Sequence, residues 1–303
     1  MKPDLTVEIA GLKLRNPTML AAGVLGISGS LLRRVAEAGA GALVTKSIGP
    51  EPRAGYPNPT VADVRCGLLN AMGLPNPGIK AFSRDIIALK TLEVPLVVSV
   101  FGSNPQEFVE VAREAEKAGA DALELNASCP HVKGISEICQ HPRLLSEIVK
   151  SVKSTVTVPT VVKLSPNVAN IAETAKIAED AGADAVTAIN TVRAMAIEIE
   201  TGRPILANKI GGLSGPAIKP ITVRCVYEIS KSVKIPVIGC GGIACWQDAI
   251  ELLLAGATAV QIGTAIAQKE LKIFKSVASG IQNYLENKGY KEVQEIVGLS
   301  HRY

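Results

Sequence analysis

The feature of this sequence that most constrains its fold is a repeated junction, in which a helical run ends in Ala-Gly-Ala and passes directly into a short apolar segment. Glycine just past a helix end supplies a left-handed cap, and the small residues allow helix and strand to pack closely. Each junction therefore predicts a strand that follows a helix. Such segments occur at residues 37–46, 117–126, 180–190 and 254–263.

A second pattern alternates with the first along the chain. Here a proline opens an apolar strand, a position that tolerates proline, at residues 16–23, 94–102, 158–164 and 235–242. Together the two patterns count eight strands, and amphipathic stretches at 105–118, 169–181 and 219–233 predict helices between them. We therefore predict an α/β chain whose parallel sheet closes into a (β/α)8 TIM barrel. The alternative is an open doubly wound sheet, but the G-x-G-x-x-G that should follow its first strand is missing there.

The organisation of the chain is predicted to be simple. Since no linker divides the sequence, we expect residues 1–303 to form a single domain. The segment 49–78 is rich in Pro, Gly and Asn, and we interpret it as an extended loop over the C-terminal mouth of the barrel.

Composition agrees with this fold and excludes several classes of function. Hydrophobic residues make up 47% of the chain and aromatic residues 3%, so Val, Ile, Leu and Ala must fill the core, as in a buried parallel sheet. A net charge of +4 without a run of Lys or Arg gives little support for nucleic-acid binding. The N-terminus lacks an apolar signal region and no apolar window reaches about 18 residues, so we expect a cytoplasmic protein without a membrane anchor. The six cysteines show no C-x-x-C spacing, and we expect no metal site.

Candidate functional residues lie at the C-terminal ends of the predicted strands, where barrels of this type carry their chemistry. Lysine is rarely buried without a partner, so two lysines and two asparagines at strand ends are unusual as packing residues. The candidates at these ends are Ala22, Gly23, Lys46, Ser47, Ser99, the run from Asn126 to Cys129, Lys163, Asn190, Thr191, Gly241, Gly242, Gly263 and Thr264.

Three of these candidates suggest roles from their chemistry. Cys129 has a thiol whose ordinary pKa of about 8.5 is near enough to neutrality for proton abstraction. Lys163 could stabilise negative charge that develops on a reduced ring system. Lys46 offers three hydrogen-bond donors to the carboxylate of an anionic substrate. For each of them a purely structural role is the alternative.

Glycines after the last two strands predict a phosphate site. Gly241 and Gly242 follow the seventh strand, Gly263 follows the eighth, and each segment leads into a helix whose first N–H groups could bind an anion. A further cluster, Gly211-Gly-Leu-Ser-Gly-Pro216, could frame the same ligand. Tight turns alone would also explain these glycines.

At these residues the chain resembles the soluble first class of dihydroorotate dehydrogenases, and the resemblance covers nearly the whole sequence. The motifs that carry it are Lys46-Ser-Ile-Gly49, Asn70-Ala-Met-Gly-Leu-Pro-Asn-Pro-Gly78, Asn126-Ala-Ser-Cys-Pro130, Asn190-Thr191, Gly211-Gly-Leu-Ser-Gly-Pro-Ala-Ile-Lys-Pro220 and Gly239-Cys-Gly-Gly-Ile243.

The resemblance implies an FMN-binding barrel in which Cys129 takes the C5 proton of dihydroorotate while a hydride leaves C6 for N5 of the flavin. Orotate, an intermediate of pyrimidine (UMP) biosynthesis, is the product. The substrate contacts that it implies are Lys46, Asn70, Ala71, Met72, Gly73, Leu74, Asn126, Asn190 and Thr191. The implied FMN contacts are Ala22, Lys46, Ser47, Ser99, Asn126, Lys163, Ile189, Gly215, Gly241, Gly242, Gly263 and Thr264.

Within that class, the stretch from Asn190 to Pro204 followed by Gly211-Gly-Leu-Ser-Gly is similar to the B-type branch. This similarity implies a partner subunit that carries FAD and a 2Fe–2S cluster, passes electrons to NAD+ and completes a heterotetramer of two catalytic and two electron-transfer chains. A fumarate-dependent branch uses a related barrel alone and is the alternative for the electron acceptor.

Two positions depart from the family pattern. His131 stands where an asparagine that contacts the pyrimidine is usual, and Ser99 stands where B-type members commonly have asparagine. Cys-Pro-His is similar to dihydropyrimidine dehydrogenase, but a uracil substrate would leave Lys46 and the Asn70-Ala-Met-Gly-Leu74 run unexplained. A flavin-free lyase or isomerase on a phosphorylated metabolite and a catalytically silent binding barrel are the remaining alternatives.

Overall fold

Proline-opened and glycine-preceded segments form the eight strands of the barrel, as the sequence patterns predict. The structure is a computed structural model that describes residues 2–128 and 138–303. Its strands are β1 (Val7–Ile9), β2 (Leu12–Leu14), β3 (Thr18–Leu20), β4 (Leu43–Val44), β5 (Val61–Val64), β6 (Gly67–Asn70), β7 (Leu96–Val100), β8 (Ala122–Asn126), β9 (Thr160–Leu164), β10 (Ala185–Ala188), β11 (Val192–Ala194), β12 (Ile197–Glu198), β13 (Arg203–Pro204), β14 (Gly211–Ser214), β15 (Val237–Cys240) and β16 (Ala259–Ile262).

Helices follow the barrel strands with the predicted alternation. They are α1 (Gly29–Glu37), α2 (Ile79–Leu89), α3 (Pro105–Ala118), α4 (Pro142–Lys153), α5 (Ile171–Asp180), α6 (Lys219–Ser232), α7 (Trp246–Leu254), α8 (Ile266–Lys269) and α9 (Lys272–Lys288).

Eight strands of the described chain form one parallel sheet in the order β3-β16-β15-β10-β9-β8-β7-β4. The two outer strands meet through a parallel bridge between Met19 and Ala42, where the Leu20 N–H donates to the Ala42 carbonyl over 3.0 Å. A Cβ atom on Gly41 would lie 2.1 Å from the Asn16 carbonyl oxygen, so a residue without a side chain is needed at this seam. The sheet is therefore closed, which confirms the predicted (β/α)8 barrel.

Local sequence signals explain where the helices begin and end. The Asn104 side chain accepts a hydrogen bond from the Glu107 N–H, Pro105 occupies the first turn, and Gly119 ends α3 in the left-handed region at φ 106°. This helix has the predicted bounds. Helix α5 begins two residues later than predicted because Asn170 caps its N-terminus.

The core matches the composition. Every residue of β7, β8 and β9 is buried, and the apolar members are Val, Leu and Ala. Among the largest fully buried side chains are Phe82, Phe108 and Phe274, which lie on helices α2, α3 and α9 rather than on the barrel strands. A core with so few rings is therefore built chiefly of branched aliphatic residues.

A small antiparallel sheet is the main feature that the sequence patterns did not predict. Segment 49–78 contains the hairpin of β5 and β6, which turns at Arg65 and at Cys66 with φ +67°. Strand β6 pairs with β14, and β14 pairs with β11. Since β14 is more than a hundred residues from β6, no local pattern could indicate the pairing.

The position of this sheet follows from two contacts. Ser214 of β14 lies 2.8 Å from Thr264, which follows β16, and the site of a Cβ on Gly212 coincides with the Thr191 side chain, which follows β10. The sheet therefore lies over the C-terminal mouth of the barrel, where the extended segment was expected. In the part of the chain that the structure describes, no helix has the length and apolar character needed to cross a membrane.

Candidate active site at the barrel mouth

A row of hydrogen-bonded polar side chains crosses the barrel mouth and unites several predicted site residues. Ser99 on β7 and Ser47 after β4 have their hydroxyl oxygens 2.9 Å apart. Ser47 accepts a hydrogen bond of 3.0 Å from the Asn126 amide, and Asn126 accepts one of 2.7 Å from the Ser128 hydroxyl. The Asn190 amide donates to Ser128. All five lie among the predicted strand-end candidates, although Ser128 was given no role of its own.

The row continues into the small sheet above the mouth. The Asn190 oxygen accepts a hydrogen bond of 2.8 Å from the Thr191 N–H. Gly212 packs against the Thr191 side chain, and its carbonyl accepts a hydrogen bond of 3.2 Å from the Asn70 amide. Asn70, Asn126 and Asn190 thus belong to one connected group, although they come from three distant parts of the sequence.

Lys163 lies inside the barrel, below this row, and is held by a second polar group. Its ammonium donates to the Gln261 side-chain oxygen over 2.9 Å, and it lies 3.6 Å from the Cys240 sulfur and 3.8 Å from Glu124 Oε1. Burial alone would lower the pKa of Lys163, but the Cys240 thiolate and the Glu124 carboxylate outweigh burial and raise it. Since burial raises the pKa of the Cys240 thiol, Glu124 is the partner able to offset the lysine charge at neutral pH.

Glu124 and Gln261 are members of this group that the sequence predictions missed. Glu124 is 0% exposed, and its Oε2 accepts hydrogen bonds of 3.0 Å from Thr187 and 2.6 Å from Gln261. Its Oε1 has no hydrogen-bond partner in the described part of the chain. The signal that could have revealed them was a charged or amide residue in the middle of an apolar strand, which must find a partner once it is buried.

Lys46 differs from Lys163 in having no counter-charge. It is 7% exposed, and among residues 2–128 and 138–303 no carboxylate lies within ion-pair distance of its ammonium. Burial lowers the pKa of Lys46. Because a buried ammonium is unfavourable without a partner, this position is suited to an anionic ligand.

Family comparison decides what kind of site this is. A family model described as dihydroorotate dehydrogenase matches residues 4–285. The chain belongs to the dihydroorotate dehydrogenase family. This confirms the family that the sequence motifs indicate and makes the chain an oxidoreductase of a flavin-dependent family.

Individual relatives in the dihydroorotate dehydrogenase family match over nearly their full lengths. The chain is 51% identical over 300 residues to a protein from Pyrococcus furiosus, with 99% of each chain covered. It is 52% identical over 297 residues to one from Methanosarcina acetivorans, with 97% of this chain and 95% of the relative covered. A relative from Methanothermobacter thermautotrophicus is 48% identical over 300 residues, with 98% of each covered. All three are named dihydroorotate dehydrogenase B (NAD(+)), catalytic subunit.

Three of the four glycines that the dihydroorotate dehydrogenase resemblance assigns to FMN have backbones that require glycine. Gly241, Gly242 and Gly215 have φ values of +133°, +77° and +91°. A Cβ on Gly241 would lie 2.4 Å from the Thr222 oxygen, and one on Gly242 would lie 2.5 Å from the Lys219 Cα. Gly215 is next to Ser214, whose hydroxyl contacts Thr264, so the glycine after β14 and the end of β16 lie together.

The helix termini near these glycines differ from the expectation. Helix α7 begins at Trp246, and the Ala244 and Cys245 N–H groups before it donate to the Asp248 carboxylate, which caps the helix. Helix α8 is a single turn. The glycine backbones after β15 and β16, rather than the first turns of the helices, are therefore the surfaces that remain for a phosphate.

The other predicted dihydroorotate contacts lie in the segment that follows β6. The Met72 carbonyl accepts a hydrogen bond of 3.0 Å from the Tyr56 N–H, and the Leu74 carbonyl accepts one of 3.0 Å from the Asn76 amide. Asn76 also accepts from the Gly49 and Gly78 N–H groups, which ties both ends of the 49–78 segment together. The run from Ala71 to Leu74 is therefore held by its own segment.

Four further candidates need separate mention. Ala22 follows β3 and Ile189 follows β10, at the same end of the barrel as the other site residues, and Gly263 follows β16. Cys129, the predicted base, and its neighbour His131 lie outside the described residues.

The buried pair of Lys163 and Glu124 makes a prediction about stability. Glu124→Gln keeps the acceptor for Thr187 and Gln261 but removes the carboxylate charge, leaving the lysine uncompensated. We expect this variant to lose about 3 kcal/mol of unfolding free energy at neutral pH, measured by urea denaturation at fixed FMN loading. In a Lys163→Met background the same substitution should cost much less. Equal costs in both backgrounds would show that the two residues are not coupled.

Proposed function

We propose that this chain is the FMN-binding catalytic subunit of a dihydroorotate dehydrogenase that oxidises (S)-dihydroorotate to orotate in de novo pyrimidine biosynthesis. The proposal rests on the polar side chains at the barrel mouth. The Asn126 and Asn190 amides are linked through Ser128, and the Asn70 amide donates to Gly212, which packs against Thr191. Lys46 is buried there with no carboxylate within ion-pair distance among the described residues. This combination suits a small ring that has amide-like edges and a carboxylate.

FMN fits the residues around the barrel end. The glycine backbones at 215, 241, 242 and 263, with Thr264, would hold the phosphate, and Lys163 inside the barrel would face the ring system as a fixed cation. When bound, FMN supplies the hydride acceptor at N5. The further residues proposed to contact it are Ala22, Lys46, Ser47, Ser99, Asn126 and Ile189.

The substrate is proposed to bind between the polar row and the 71–74 run. Lys46 would take the carboxylate, together with backbone N–H groups of Met72, Gly73 and Leu74. Asn70, Asn126, Asn190 and Thr191 would contact the carbonyl and N–H groups of the pyrimidine ring. Asparagine suits this task because its side chain has both a donor and an acceptor.

Cys129 is proposed as the base that takes the C5 proton. Its assignment rests on the Asn126-Ala-Ser-Cys-Pro130 motif, in which Cys129 comes three residues after Asn126, the last residue of β8, in the sequence. A thiolate is a competent base near neutral pH when a nearby group stabilises it, whereas a serine hydroxyl at the same position is far weaker.

The electron acceptor is proposed to be NAD+, reached through a partner subunit that carries FAD and a 2Fe–2S cluster in a heterotetramer. This follows the names of the relatives, which specify NAD(+) and a catalytic subunit. Fumarate remains the second candidate, since a related barrel can act alone. A dihydropyrimidine dehydrogenase-like reaction on uracil is disfavoured by Lys46, because uracil has no carboxylate to offset that charge.

One experiment tests the reaction and its acceptor. Purified chain reconstituted with FMN should turn yellow, and dihydroorotate should bleach the flavin under anaerobic conditions. Steady-state turnover is then compared with NAD+, fumarate and an artificial dye, with and without a co-purified iron–sulfur subunit. We expect NAD+ turnover to require that subunit. Protein that stays colourless after reconstitution and desalting would exclude the flavin reaction, and fumarate turnover by the isolated chain would assign it to the other branch.

The Lys46→Ala variant tests whether Lys46 binds the carboxylate of orotate rather than its ring. Because the carboxylate of orotate would lose its ammonium partner, we expect orotate to bind about 100-fold more weakly, with a much smaller change for uracil. Binding is measured by the change in the flavin spectrum. Lys153→Ala, which removes a lysine paired with Asp184 outside the site, is the matched control. Equal losses for orotate and uracil would place the carboxylate elsewhere.

Cys129→Ser should separate binding from chemistry. We expect orotate affinity to be retained, while flavin reduction by dihydroorotate slows by about three orders of magnitude because serine is a poor base at neutral pH. Stopped-flow absorbance measures the reduction. Cys66→Ser, which alters an exposed cysteine of the β5–β6 turn, should reduce at the wild-type rate. A Cys129→Ala variant with unimpaired reduction would end the assignment.

A further inference from the structure

Ser128 occupies a position in the mouth that neither the motifs nor the proposed contacts explain. It is 5% exposed, lies two residues after the end of β8 and immediately precedes Cys129 in the sequence. Its hydroxyl donates to Asn126 over 2.7 Å and accepts from the amide of Asn190. A serine hydroxyl has one hydrogen to donate, so here it is committed to Asn126 and acts as a bridge between two asparagines.

The bridge spans a gap that the asparagines cannot close themselves. Asn126 ends β8 and Asn190 follows β10, while β9 lies between these two strands in the sheet. Strands separated by one neighbour are about 10 Å apart. A hydroxyl placed between the two amides connects them and fixes the orientation of both.

The direction of the hydrogen bonds is determined from one end. The backbone N–H of Thr191 can act only as a donor, and it donates to the side-chain oxygen of Asn190 over 2.8 Å. The Asn190 nitrogen must therefore face Ser128, and the Ser128 hydrogen must point to the Asn126 oxygen. The Asn126 nitrogen then donates to Ser47 over 3.0 Å. A flip of the Asn190 amide would set its NH2 group against the Thr191 N–H, and a flip of the Asn126 amide would leave the Ser128 hydrogen without an acceptor in the row.

This pattern of hydrogen bonds determines which donors and acceptors of the two amides remain available to a ligand. Each asparagine uses one N–H and one oxygen lone pair within the row, and each keeps one N–H and one lone pair. Those remaining groups are the donor and acceptor that the ring of a pyrimidine can match. The terminal torsion of asparagine is broad when nothing holds it, so the bridge removes a freedom that ligand binding would otherwise have to restrict.

We propose that Ser128 is a positioning residue of the pyrimidine site, which orients the amides of Asn126 and Asn190 before the ligand arrives. This inference rests on the proposed function, because it takes orotate as the ligand. It assigns Ser128 no contact with the ring and no part in proton transfer.

The test is a double-mutant cycle on orotate binding, read from the spectrum of oxidised, FMN-loaded protein. Ser128→Ala removes the hydroxyl without adding atoms, and we expect the Kd for orotate to rise about tenfold, since the Asn126 and Asn190 amides lose their common partner. In an Asn190→Ala background the same substitution should change the Kd less than threefold, because the bridge is already broken. FMN affinity and the thermal midpoint should stay near those of wild type.

Ser230→Ala serves as the matched control. Its half-buried hydroxyl contacts the Ala255 carbonyl over 3.1 Å and the His301 ring on the outer helices, so its removal reports the general effect of losing a bonded serine. We expect its orotate Kd to equal that of wild type. A loss as large as that of Ser128→Ala would overturn the proposal.

The remaining outcomes separate this inference from the function on which it rests. Wild-type protein that binds no orotate would overturn both. Wild-type binding with an unchanged Kd for Ser128→Ala would overturn the positioning role alone, as would an equal loss in both backgrounds. Slower flavin reduction by dihydroorotate with unchanged orotate affinity would show that Ser128 acts through Cys129 instead. That result would also overturn the positioning role.

Discussion

Closure of the parallel sheet between β3 and β4 is the constraint on which the site depends. Both strands are short, and they meet where Gly41 leaves room for the Asn16 carbonyl. Because a closed parallel sheet brings all of its C-terminal strand ends into one ring, residues far apart in sequence meet there. Ser47 and Asn126 are 79 residues apart and share a hydrogen bond. Without closure of the sheet, the residues of the polar row would not lie close enough to form their hydrogen bonds.

Polar residues inside the barrel show how the fold accommodates function. Glu124, Lys163, Thr187 and Gln261 come from four different strands and bond to one another beneath the mouth. Apolar side chains could fill the same space, and a buried ion pair is seldom more stable than such packing. The arrangement holds one ammonium group in a fixed position inside the barrel, which is preorganisation rather than stability if the proposed ligands bind at the mouth.

The sequence predicted much of the fold because proline and glycine mark strand starts and helix ends locally. Helix α3 has its predicted bounds since Asn104, Pro105 and Gly119 are all terminal signals. The small sheet escaped prediction because β6 finds its partner in β14, far along the chain.

The sequence predicted some residues of the site and missed others. Residues at strand ends could be placed by counting strands, and the polar row does join Ser47, Ser99, Asn126 and Asn190. Glu124 and Gln261 were overlooked because their strands fit an apolar pattern in which a single polar residue is easily passed over. The contacts of Ser128 depend on side-chain directions, and no sequence spacing specifies those.

The two lysines of the mouth show how one fold gives the same side chain different roles. Lys163 is paired with Glu124 before any ligand binds, and Cys240 and Glu124 together outweigh burial and raise its pKa. Lys46 is buried with no carboxylate partner among residues 2–128 and 138–303, and burial lowers its pKa. An arriving carboxylate therefore gains more at Lys46 than at Lys163, and by linkage its binding would raise the Lys46 pKa again. An anion is thus directed to one side of the mouth by the placement of a single buried glutamate beneath the other.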